Sequence, residues 1–105
     1  MRLTELNPRW ALPTMQWSSP EPYYESFTFD CPHCRKQRLA AHFTPPIDPA
    51  GLRAKYGWPE TLTQGRLTWK RTGDTFETLT LEPSLDFSAS GHFHGSIHNG
   101  DVSFA

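Results

Sequence analysis

A small, mostly β domain, of β or α+β class, is the fold this chain predicts, and three observations predict it. The dipeptide Asn99-Gly100 separates two short runs of alternating character, the strongest local signal for a two-residue hairpin. Upstream, Glu25-Ser26-Phe27-Thr28-Phe29-Asp30 alternates polar with apolar, the period of a half-buried strand. It runs into the turn Cys31-Pro32-His33-Cys34, after which Arg38-Leu39-Ala40-Ala41-His42-Phe43 can pair back. Ten prolines and seven glycines in 105 residues argue against long helices.

Taken in order, residues 1–22 read as an irregular arm. It carries Pro8, Pro13, Pro20 and Pro22 together with Trp10 and Trp17. A polar disordered tail rarely holds two tryptophans, so part of the arm is expected to lie on the domain or on a partner. Residues 23–105 form that single small β-rich domain. After the cysteine-turn hairpin, prolines dominate residues 44–60. The piece from Pro49 to Tyr56, between Asp48 and Gly57, has room for one or two helical turns and no more.

The rest reads as β. Arg66-Leu67-Thr68-Trp69-Lys70 and Phe76-Glu77-Thr78-Leu79-Thr80-Leu81 flank a turn at Thr72-Gly73-Asp74, where glycine supplies the positive φ of a tight reversal. The last hairpin pairs Phe93-His94-Gly95-Ser96-Ile97-His98 with Asp101-Val102-Ser103-Phe104. Strand parity places His92, His94, Ser96 and His98 on one face and Phe93, Gly95 and Ile97 on the other.

Charge and hydropathy narrow the function classes. Ten Lys+Arg against eleven Asp+Glu leave a net charge of -1, without the basic excess that wraps a phosphate backbone. Arg35-Lys36-Gln37-Arg38 is locally basic and near aromatics, which permits single-stranded nucleic-acid stacking in principle; the neutral balance disfavours it. No apolar stretch approaches the roughly 20 residues that span a bilayer, and residues 1–8 lack the apolar core of a signal peptide. A cytoplasmic setting is expected. In a reducing compartment a CxxC pair points to metal binding or redox chemistry before a structural disulfide.

Zinc is the cofactor this inventory suggests. A CxxC turn brings two thiolates to one ion from a compact loop whose amides can bond to the sulfurs, in the manner of a zinc knuckle. That is half a site. The other half is expected from the histidine cluster, so the candidate ligands are Cys31, Cys34, His92, His94 and His98, at most four of them together. His33 and His42 are weaker candidates. Two reduced thiols without a role, or a redox dithiol lacking the usual βαβ setting, are the alternatives.

A hydroxyl nucleophile is the competing chemistry. Ser84, in Leu81-Glu82-Pro83-Ser84-Leu85-Asp86, is expected just past a strand, where His94 or His92 could serve as base and Asp86 or Asp101 could orient it. Water activated by a zinc ion with an open position is a third route, with Asp86 or Glu82 as base, though the HExxH helix is absent.

Several short motifs also carry a resemblance. Trp69-Lys70-Arg71-Thr72-Gly73-Asp74, Leu79-Thr80-Leu81-Glu82-Pro83-Ser84-Leu85 and His94-Gly95-Ser96-Ile97-His98-Asn99-Gly100 occur in that order, preceded by the cysteine knuckle. Over about residues 27–105 this resembles a family of small phage, prophage and bacterial proteins, some of them mislabelled as ammonia monooxygenases. Its pattern runs Trp, Gly-Asp, Pro-Ser-Ile/Leu and His-x-x-Ile-x-x-Gly. Some of these proteins are encoded beside bacterial ubiquitin-like proteins. The resemblance implies either a metal-binding accessory or a peptidase acting on a ubiquitin-like or other protein partner, with Ser84 as nucleophile and His94 as base. Many members carry extra cysteines near the histidine motif. Here histidines stand in that region, so a cysteine-only site is excluded and His92 or His98 is left to complete it. The expected role is a zinc-binding module of phage or bacterial type with a protein partner.

Overall fold

The structure is a computed structural model and describes residues 1–11, 22–59 and 67–105. Trp17, Pro13, Pro20 and Arg66 lie outside the described residues. Among the described residues seven strands form one sheet in strict chain order: β1 (Arg9–Ala11), β2 (Tyr24–Asp30), β3 (Arg38–Ile47), β4 (Thr68–Thr72), β5 (Thr80–Asp86), β6 (His94–His98) and β7 (Asp101–Phe104). All neighbours are antiparallel except β3 and β4, which run parallel. A parallel pair needs a crossover, and the connection from β3 to β4 contains the short helix α1 (Leu52–Tyr56). The mostly β expectation holds.

Alternation builds the core. Phe27 and Phe29 of β2 face Ala41 and Leu39 of β3, and all four are buried. Leu81 and Leu85 of β5, Ile97 of β6 and Val102 of β7 continue the same inner face, together with Phe43, Trp69 and Phe93. Complete burial of a ring or branched aliphatic side chain stabilises by about 1.5–3 kcal/mol, which makes this row the main cohesive element.

The first eleven residues are more ordered than the irregular arm expected of them. Leu3–Leu6 form a 3-10 turn, and both leucines are fully buried. Trp10 stacks on Phe76 with ring centres 4.0 Å apart and meets Phe27 and Phe43 edge-on. Arg2 bridges to Asp101, the Leu3 amide donates to the Gly100 carbonyl (2.8 Å) and the Val102 amide donates to the Met1 carbonyl (2.7 Å). Residues 1–11 thus touch β7 at one end and β2 at the other, and the sheet curls until its two margins share one segment.

Several boundaries fall away from their expected places. β3 runs on through Pro45 and Pro46, because its pairing with β2 breaks register between Tyr24 and Ser26, and residues without an amide hydrogen are tolerated at such a bulge. β5 begins at Thr80, later than the periodicity suggested, since Phe76 turns inward from the loop to stack on Trp10. The helix and the last hairpin lie where expected. The Asp48 carboxylate accepts hydrogen bonds from the Leu52 and Arg53 amides at 2.7 and 3.0 Å, and Gly57 ends the helix with φ 67°. Asn99 and Gly100 both take positive φ, 48° and 74°, as a type I′ reversal requires.

Candidate metal centre

Cys31 closes β2, and the chain reverses within a few residues to enter β3. The Cys31 amide donates to the Gln37 carbonyl (2.8 Å), and the Cys31 carbonyl accepts from the Arg35 amide (2.8 Å). Arg35 sits at φ 62°, a left-handed conformation that costs a residue with a Cβ about 1–2 kcal/mol. The knuckle keeps this turn because it points successive amides at one sulfur. The hydrogen bonds from the Lys36 and Gln37 amides, in that order, pull the Cys34 thiol down from 9.0 to about 7, against burial and with further help from Cys31 and His92.

His92 approaches from the other half of the chain. After β5 a short 3-10 turn at Ser88–Ser90 ends on Gly91, whose φ of 78° suits glycine. The His92 amide then donates to the Phe87 carbonyl (3.1 Å), and the Phe87 amide donates to the Phe93 carbonyl (2.8 Å). This closed loop holds His92 in front of β6 rather than on it. Strand parity therefore does not reach His92, and its ring turns toward the knuckle.

The result is a group of three donors. One ligand atom each from Cys31, Cys34 and His92 lie within 4.8 Å of one another, and Cys34 Sγ stands 3.6 Å from His92 Nδ1. A tetrahedral zinc ion with bonds of about 2.3 Å to sulfur and about 2.0–2.1 Å to nitrogen sets those two atoms about 3.6 Å apart. The donor set and its spacing therefore fit such an ion. Without a metal, the same distance accommodates a thiol–imidazole hydrogen bond. Cys31 is fully buried in the core, while Cys34 and His92 are half-buried.

Three of the five expected ligands are thus brought together. His94 and His98 are not in the group: both belong to β6 and are exposed, their strand partners being Asp86 and Asp101. His33 is exposed on the knuckle, and His42 is half-buried on β3.

The expected nucleophile lies inside β5 rather than beyond it. Ser84 falls in a register break between Leu81 and Leu85, is exposed, and accepts the Trp69 Nε1 hydrogen bond at its backbone carbonyl (3.3 Å). Asp86, opposite His94, accepts hydrogen bonds from the Ser88 hydroxyl and amide; these, with the nearby His94, hold its carboxyl below the usual range. Among the described residues no hydrogen bond joins Ser84 Oγ to an imidazole. In the basic turn, Arg38 is engaged with Asp30 (2.9 Å), Thr28 (2.6 Å) and the Asn7 carbonyl (2.8 Å), which leaves Arg35 and Lys36 as its exposed cations.

No protein-family model, curated protein or solved structure matches this chain. Among the described residues no helix is long and apolar enough to cross a membrane.

Proposed function

We propose that this protein is a zinc-stabilised module that binds another protein, with Cys31, Cys34 and His92 as ligands of the ion. The observation that carries the reading is the convergence of two knuckle thiols and one remote imidazole at tetrahedral spacing. A lowered Cys34 thiol favours the same role, because the metal ligand is the thiolate. Exposed Leu67 (75%) and Tyr56 (56%) supply apolar surface for a partner, while Trp10 is partly buried against the core. A phage or bacterial setting follows from the motif resemblance alone and belongs to the same proposal.

The test is metal analysis combined with thermal unfolding. One zinc per chain is expected, and a Cys34→Ser protein should lose it. Because binding energy at a structural site is folding energy, chelation should lower the melting temperature. Purified protein without stoichiometric metal, or a melting curve indifferent to the chelator, would falsify the proposal.

A peptidase acting through Ser84 and His94 stands second, favoured by Asp86 lying opposite His94 with Ser84, also exposed, two residues before it in β5. Labelling of Ser84 by a serine-directed probe would support it, and no labelling at any pH would end it.

A further inference from the structure

Three ligands among the described residues leave a tetrahedral ion one vertex short. Cys31 is buried against Phe29, Leu39 and the rest of the core cluster, while Cys34 and His92 are partly exposed. The buried sulfur therefore lies on the inner side of the group, and the other two ligands reach the surface. Among the described residues no further His, Cys, Asp or Glu joins the group. A site of two cysteines and one histidine with an outer position is a known arrangement for zinc that binds a ligand as well as a fold.

We propose that the fourth position is open to solvent and takes a thiolate from outside the chain; this rests on the metal reading above. Charge and softness select that donor. Two thiolates and a neutral imidazole balance the charge of a divalent ion, so a third thiolate brings one further negative charge. Exposed Arg35 and Lys36 follow Cys34 directly and offset one more negative charge. An ion already held by two sulfurs favours another soft donor over a carboxylate. On binding, the thiol would lose its S–H proton to solvent, its thiolate would displace the solvent molecule so that a metal–sulfur bond replaces a metal–oxygen bond, and nothing is oxidised or reduced. The thiolate can come from a small free thiol or from a cysteine side chain of a partner.

Cobalt(II) substitution of the full chain tests this, since its thiolate charge-transfer absorbance counts sulfur ligands. Before any thiol is added, the bands should report two sulfurs; their absence would defeat the metal reading itself. Titration with 2-mercaptoethanol, and separately with a short peptide holding one cysteine, should raise the charge-transfer intensity by about half in a saturable way, with cobalt retained on gel filtration. Saturation by the small thiol assigns a free thiol, and saturation by the peptide alone assigns a partner's side chain. A two-sulfur spectrum that neither addition changes overturns the open vertex while leaving the metal site standing. His33→Ala supplies the second arm. If thiol perturbs only that variant, His33 fills the vertex and the proposal is wrong.

Discussion

On Cys34 two backbone amides, a second thiol and an imidazole converge, and the thiol falls to about 7. The ordinary thiol value is 9.0, so the folded group is the more acidic. The stabilisation this contributes to the metal-free protein is complete above the unfolded value and is lost as pH falls through about 7. Metal-free protein should therefore become more stable between about pH 7 and pH 9, and its thiolate absorbance should show a step near 7 that Cys34→Ser abolishes. A single step at the ordinary thiol value would contradict the amide arrangement. The two cysteines were legible as ligands because CxxC spacing is local chemistry. The choice among histidines was not. His92 is set by the loop from Phe87 to Phe93, whose hydrogen bonds have no signature in alternation, so parity grouped it with His94 and His98 instead.

Between elements, Arg71 ties β3 to β4 beyond their last paired residues, Thr44 and Lys70. From β4 its Nε donates to the Pro45 carbonyl (2.9 Å), Nη2 to the Pro46 carbonyl (3.1 Å) and Nη1 to the Gly73 carbonyl. Its guanidinium also lies over the Phe43 ring at 5.4 Å, and burial lowers its pKa. It thereby holds the proline-bearing end of β3 against β4 and the loop that follows. Arg71→Ala should cost about 2 kcal/mol in urea unfolding, and Arg71→Lys should restore little, since one ammonium cannot reproduce the planar fork. A loss under about 0.5 kcal/mol would remove this role from Arg71. The strands themselves were readable from alternation and the last turn from Asn99-Gly100, which are local signals. The extension of β3 through Pro45 and the late start of β5 were not, because both answer to tertiary contacts: a register break in one case and the stacking of Phe76 on Trp10 in the other.

For the molecule as a whole, the sheet keeps sequence order, so most pairing is between neighbours and the fold class could be anticipated from hairpin signals. The parallel step at β3 and β4 and the return of residues 1–3 to β7 could not, since neither has a local marker. Trp10 is the instructive residue: its presence in the arm leads to the expectation that part of the arm lies on the domain or on a partner, and it stacks on Phe76 and meets Phe27 and Phe43 edge-on. Cys34 and His92 stand 58 positions apart. A bond between such points removes about 4 kcal/mol of loop entropy from the unfolded chain by the cross-link model, so an ion bound there acts as a reversible staple. With an ion bound there, one proteolytic nick anywhere between those two residues would leave both fragments tethered through it, and chelation would reduce their union to strand pairing and packing alone.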